Sequence, residues 1–373
     1  SPFICLLWTY SNHIWTCSDM KNKGQFPYLR VKIEFFLQKQ KKTIMKKLNI
    51  FILILSISVS CSGENNSEKY AESITSKELS ELLYEFASDE FEGRNTGEPG
   101  QKLAVNFIRD FYKANDIHKA DNTEDYFQKF LVDFSKRQVA NPNNINPLES
   151  SSIDEENIDW VKTENVAAII KGDVYPNEYI VLTAHLDHVG IEDGEIYNGA
   201  DDDGSGSMAL LEIAQAFKLA ELDGNRPKRS IVILHVSAEE KGLLGSEYYA
   251  ENPLYPLNET ITNLNVDMIG RTDPTRESDN DNYIYLIGTD RLSSMLHETS
   301  EKVNSRTVNL ELDYRFNAWD DPNRFYERSD HFNFAKNNIP VIFYFSGTHE
   351  DYHGPGDTPD KIRYDLLTQR SRL

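Results

Sequence analysis

Five short stretches of the chain gather side chains able to hold a cation or move a proton. They are His185-Leu-Asp187-His188, Gly199-Ala-Asp201-Asp202-Asp203-Gly-Ser-Gly206, Ser237-Ala-Glu239-Glu240, Asn265-Val-Asp267 and Tyr352-His353-Gly-Pro-Gly-Asp357. An imidazole two residues from a carboxylate can bind a metal while the acid fixes its orientation. Three successive aspartates repel one another unless a cation or several backbone donors offset them. A helix N-terminus accounts for one such acid, and calcium is a rival cation, although the EF-hand spacing with its closing glutamate is missing. Adjacent glutamates permit a division of labour, one ligating a metal while its neighbour accepts a proton from metal-activated water. Taken singly, each stretch also reads as a structural histidine, a capped helix or a solvated turn.

Position in the chain makes them more than that. Residues 179–184, 230–236, 260–266, 283–287 and 340–345 are apolar runs suited to buried strands, and 207–220 fits an amphipathic helix. Buried strands alternating with helices predict an α/β fold: a mixed, mostly parallel central sheet with helices on both faces. Each of the five stretches lies just beyond a strand, at the carboxyl ends where open α/β sheets bind ligands. Two helical patterns come earlier, Leu79/Leu82/Leu83/Phe86 and Leu103/Phe107/Ile108/Phe111, with the loop 92–100 between them. Residues 135–160, rich in Asn, Ser and acids, read as an irregular surface excursion.

The three cysteines are Cys5, Cys17 and Cys61, so no thiolate is available beyond residue 61 and any metal there rests on His, Asp and Glu. Nitrogen and oxygen donors of this kind suit Zn²⁺, with Mn²⁺ or Co²⁺ as substitutes. Five donors exceed the three that one catalytic zinc usually takes. Shared through a bridging carboxylate, they give each of two ions three. The net charge is −21, and residues 61–373 hold 58 acidic against 30 basic side chains. That balance excludes nucleic acid as a partner, because a phosphate backbone needs a basic face.

Met45 opens a segment with the layout of an export signal: Lys46 and Lys47, an apolar stretch over 48–59, then small residues and Cys61. Ending on Ser-Val-Ser-Cys, it resembles a lipoprotein signal, which predicts an exported protein, periplasmic or at the cell surface, lipid-anchored to the membrane through Cys61. Residues 1–44 then read as a spurious upstream extension, 45–61 as the signal, 62–75 as a polar tether and 76–373 as one catalytic domain.

HLDHVG, GADDDGSG, SAEEKGLLGS, NVDMIGR and YHGPGDTPDKI, in that order over residues 180–362, resemble the bacterial dinuclear zinc aminopeptidases, a metallopeptidase family numbered twenty-eight. SDEFEGRNTGEPG resembles the N-terminal part of such enzymes. The resemblance implies a zinc-dependent exopeptidase fold, two Zn²⁺ per chain and peptide substrates cleaved at their N-termini. By motif, His185 and Asp267 would bind one zinc, and Glu240 and His353 the other. Asp202, three residues before Ser205 of the Gly-Ser-Gly turn, would bridge them. Glu239 would be the general base and acid, Asp187 would steer His185, and Tyr352 would hydrogen-bond the oxyanion. The alternatives are a glutaminyl-cyclase-like acyltransferase with one zinc and a non-catalytic peptide- or metal-binding lipoprotein. Ser329-Asp330-His331 reads as a pocket wall or support rather than a triad, His188 and His235 as structural, and the acidic loop 273–281 as solvated rather than calcium-binding.

Overall fold

The computed structural model describes residues 67–143 and 160–373, together with a strand pair, Thr9–Tyr10 with His13–Ile14. The chain divides into two units, Ser1–Glu64 and Asn65–Leu373. The export signal, Cys61 and, apart from that strand pair, the upstream extension fall outside the described residues. So do 144–159 of the expected excursion.

The second unit is built on a ten-stranded sheet: β1 (His118–Lys119), β2 (Phe127–Asp133), β3 (Gln138–Ala140), β4 (Val161–Ile170), β5 (Tyr175–His185), β6 (Arg229–Val236), β7 (Thr260–Val266), β8 (Tyr283–Ile287), β9 (Glu311–Asp313) and β10 (Val341–Phe345). The order is β9-β8-β10-β7-β5-β6-β4-β2-β3, with β1 also paired to β4. The central strands β10, β7, β5 and β6 are mutually parallel, as is the edge pair β8/β9. Pairing is antiparallel on either side of that centre, between β6 and β4, among β1–β4, and between β8 and β10. The mixed α/β sheet is as expected. Parallel pairing dominates only its middle; the short strands β1, β2 and β3 follow one another through turns rather than helical crossovers.

Alternate residues of the central strands enter different apolar layers, so both faces are covered and the strands read as unbroken apolar runs. On one face Val166, Ala168, Leu182, Ala184, Ile231 and Ile233 pack with helices α2 (Ser76–Phe86), α3 (Pro99–Ala114) and α4 (Gly206–Leu222). On the other, Ala167, Ile169, Val181, Val232 and Leu234 meet Tyr249 of α5 (Leu244–Glu251) and Phe334 of α7 (His331–Ala335). α2 starts at a side-chain N-cap: Thr75 Oγ1 accepts from the Glu78 amide while its hydroxyl donates to the Glu78 carboxylate. α3 starts with Pro99, whose missing N–H costs nothing in a first turn. α6 (Ser294–Asn304) and α8 (Tyr364–Ser371) complete the larger helices.

Residues 67–75 are not tether. Ser67–Ala71 is a short helix, α1, with Tyr70 9 % and Ile74 2 % exposed in the main core and Lys69 paired to Asp223. Within the excursion 135–160, Gln138–Ala140 is strand β3 on β2. In the acidic loop, Asp273 is taken by Arg315 and Asp281 by Arg363, while Arg276 reaches Glu311 and Asp313. Guanidinium groups therefore fasten the loop.

Candidate metal centre

His185 is the last residue of β5. Glu239 and Glu240 follow β6 by a three-residue step, and Asp267 is the residue after β7. His353 sits in the loop beyond β10, and Asp202 in the turn 200–205 that leads into α4. The strand exits bend sharply. Ala238, Met268 and His353 have φ of 59°, 54° and 50°, left-handed values that cost non-glycine residues about 1–3 kcal/mol each and tend to occur at working sites.

These turns bring the five predicted donors together. His185 Nε2 lies 3.1 Å from Asp202 Oδ1 and 3.6 Å from Asp267 Oδ1. His353 Nε2 lies 3.1 Å from Asp202 Oδ2 and 3.2 Å from Glu240 Oε2. The two oxygens of one carboxylate thus face different imidazoles, each flanked by a further acid. Donors held about 2 Å from a tetrahedral zinc are themselves about 3.3 Å apart, so the spacings fit an ion on each side of Asp202. Asp202 Oδ2 and Glu240 Oε1 are buried and accept no hydrogen bond, a costly state that a cation relieves.

Charge on this cluster is strongly perturbed. Burial opposes ionisation of Asp202, yet His185 and His353 outweigh it and hold the acid well below the usual carboxylate range. Burial and Asp202 both push Glu240 up, and His188 and His353 more than reverse them, to about 2. Burial would lower His185, but Glu239, Asp267 and Asp202 together lift it well above its ordinary value. Glu239 stands apart. Burial holds it well above the carboxylate range; His185 opposes this, while Glu240, Asp330 and Asp267 reinforce it. A divalent cation alongside would draw that proton affinity back toward neutrality.

The positioning of these groups differs from the sequence expectation in one respect. His185 Nδ1 is 3.0 Å from the Asp187 carbonyl oxygen, whereas the Asp187 carboxylate is 4.0 Å away. That carboxylate accepts instead from Thr96 Oγ1 at 2.7 Å and from the Glu239 amide at 3.2 Å. Thr96 Oγ1 in turn accepts from the Ala238 amide. Asp187 therefore ties the loop carrying His185 to the loop carrying Glu239.

Several supporting residues were invisible as such in the sequence. Asp203 accepts from the amides of His185, Gly206 and Met268, knitting three loops together. A Cβ on Gly206 would lie 2.4 Å from the Asp203 carboxylate, so only glycine permits that approach. Asp201 accepts from Gly270, and Asp357 accepts from the amides of both Asp201 and Asp202. The three adjacent aspartates thus divide into two backbone clamps and one acid turned into the site. Arg94, fully buried, donates to the carbonyls of Phe86, Leu186, Asn198 and Gly199. Ser329 donates to Asp267 Oδ2, leaving Oδ1 toward His185, while Asp330 accepts from Ser246 and His331 stacks on Phe343. No triad forms there.

A cleft of about 350 Å³ opens onto the cluster, with an apolar wall of Met268, Phe325, Phe343 and Phe345. Tyr352 lies flat on the His353 ring, centroids 4.0 Å apart, and its hydroxyl accepts from Arg328 at 3.3 Å. Burial, then Asp202 and Glu240, push the phenol further up, so it stays a proton donor.

Residues 165–373 match the profile of peptidase family M28. The chain belongs to that family. Over 218 residues the M28 chain is 29 % identical to aminopeptidase Y of Saccharomyces cerevisiae, covering 58 % of itself and 36 % of the yeast protein. Over 107 residues it is 36 % identical to a probable glutamate carboxypeptidase, LAMP1, of Arabidopsis thaliana, covering 28 % of itself. It spans only 15 % of the length of that relative. The fold of the M28 unit is that of a Bacillus subtilis zinc aminopeptidase, at TM-score 0.56 and 16 % identity over 80 % of this chain and 93 % of the other. Porphyromonas gingivalis glutaminyl cyclase shares it too, at TM-score 0.55 and 15 % identity over 80 % and 96 %. Family and fold are thus those of the M28 peptidases.

Proposed function

We propose that the M28 unit removes N-terminal residues from peptides with a pair of zinc ions. One observation carries this reading: the Asp202 carboxylate stands between two imidazoles, each with its own second acid. Two zinc ions bound there would polarise a scissile carbonyl and make a water acidic near neutral pH. His185 and Asp267 would hold one, Glu240 and His353 the other, with Asp202 shared. Glu239 takes the proton of the attacking water and returns it to the leaving amine, a role that suits its raised proton affinity. The Tyr352 hydroxyl donates to the oxygen that gains charge. The wall of Met268, Phe325, Phe343 and Phe345 favours an apolar side chain in the cleft. The cyclase shares the fold, so fold alone does not separate the two activities; the five-donor set favours the hydrolase.

The test is metal content and activity on the purified chain, assayed with amino-acid anilides and their N-acetylated counterparts. About two zinc ions with cleavage of free-amine substrates alone supports the reading. One zinc without hydrolysis moves the cyclase ahead, and cleavage of acetylated substrates moves the activity to another peptidase mode. We further propose export, with anchorage to the membrane through a lipidated Cys61. Mass spectrometry of the membrane fraction should find acyl chains on that cysteine, and an unmodified Cys61 would refute the anchor.

A further inference from the structure

We infer that His188 is a fourth protein donor at the Glu240/His353 position, which makes the two ion positions unequal. The inference rests on the two-metal reading above and adds a residue to it. His188 is completely buried, and among the described residues neither ring nitrogen has a hydrogen-bond partner. Its Nδ1 lies 2.9 Å from Glu240 Oε1, itself buried without a hydrogen bond, and 3.9 Å from Asp202 Oδ2. An N–O approach this short that does not line up as a hydrogen bond is what two donors aimed at one cation show. His188, Asp202 and Glu240 each offer an atom within 4.8 Å of the others. The ring meets His353 edge to face at 5.8 Å, so both imidazoles border the same space.

Room for this ring is built into the backbone. Gly199 has φ +53°, and a Cβ there would come within 2.5 Å of His188 Cγ. The turn that presents Asp202 thus starts with the residue that admits His188. Unpaired nitrogens alone do not set the ring apart, since among the described residues the core ring His331 has none paired either and only stacks on Phe343; the 2.9 Å approach to Glu240 Oε1 does. Counting donors, the position beside His185 has three (His185, Asp202, Asp267) and the other has four (Asp202, Glu240, His353, His188). Three donors leave a coordination position open, whereas four close it.

The test uses the full chain stripped of metal by a chelator and titrated with Zn²⁺ against a chromophoric competitor, and with Co²⁺ by visible absorption. Wild type is expected to fill two positions with separable affinities. His188→Ala should weaken the tighter one by about ten-fold or more, leave the other within about two-fold, and change the Co²⁺ spectrum. His188→Asp, which restores an oxygen donor, should recover part of the loss and carries the test should the alanine variant fail to fold by circular dichroism. Unchanged affinities and spectrum in folded variants overturn the inference, as does an equal loss at both positions. If wild type binds a single ion, the two-metal reading fails separately, and the loss or retention of that ion's affinity in the variants still decides whether His188 is a donor.

Discussion

The carboxyl-end rim of the sheet and the apolar layers beneath it both bury histidines and glutamates, and treat them in opposite ways. In the layers, His235 and His331 are pushed down to about 3, by burial in both cases. Each is a neutral ring; His235 accepts a bond from the Tyr112 hydroxyl and His331 stacks on Phe343. At the rim, partial burial acts on His353, whose side chain is 41 % exposed, in the same direction, yet Asp202 and Glu240 reverse it and lift the ring to about 10. Glu212, within α4, has no acid–base partner among the described residues; burial first, then Glu78, raise it to about 8. Burial alone silences an ionisable group; burial among opposite charges is what prepares it for chemistry.

The comparison breaks most severely if Glu239 proves dispensable. Glu239→Gln should lower kcat by about 10²–10⁴ with zinc content unchanged, read by anilide assay and metal analysis on the same sample. Near-normal turnover would move the proton-handling group elsewhere. A smaller effect is expected one step back from the metal. Thr96→Val removes the bond to Asp187 and the acceptor for Ala238, so kcat should fall about 10–100-fold while KM changes little, and Thr96→Ser should restore it. Equal changes in kcat and stability for the valine and serine variants would reduce Thr96 to packing.

Glu212→Gln tests the other half of the comparison and should leave activity alone. A carboxyl whose folded pKa is raised above its unfolded value carries no penalty at pH below about 4.3, where both states are protonated. As pH rises toward 8 the unfolded chain ionises and the folded one resists, so stability is lost across that window. The variant lacks that loss. Its melting temperature should match wild type near pH 4 and exceed it increasingly up to pH 8–9. A constant difference across pH would mean that the Glu212 carboxyl finds a partner.

The clustering of His185, Glu240 and Asp267 was legible in the sequence because each sits at or a few residues beyond the end of an apolar run in the sheet, whereas Asp202 and His353 lie farther along, in the turn before α4 and in the loop beyond β10. Strand exits collect ligands, and that rule needs no knowledge of partners. Arg94 and Thr96 were not legible, since their roles consist of what they touch across 91 to 142 residues of sequence. His188 stood in the motif, but nothing in its neighbours distinguishes a ring aimed at Glu240 from a core ring. The helix 67–71 was hidden for a different reason. Tyr70 and Ile74 are isolated apolar residues in a polar stretch, too few to set a period, and only the shape of the core selects them. Strand direction is likewise a tertiary property, which is why the antiparallel wing was missed.

The profile match begins at residue 165, yet Thr96 lies well before it and holds Asp187 and the Ala238 amide, while Arg94 grips the carbonyls on which His185 and Asp202 depend. The five side chains come from separate loops, and this earlier segment pins those of His185, Asp202 and Glu239, so no local stretch can assemble the cluster. Capture of a metal there would therefore be a late event, a proofreading of finished tertiary structure. A chain that crosses a membrane unfolded would accordingly take its metals from the compartment where it folds, and the supply there, as much as the donor set, would decide which ions it carries.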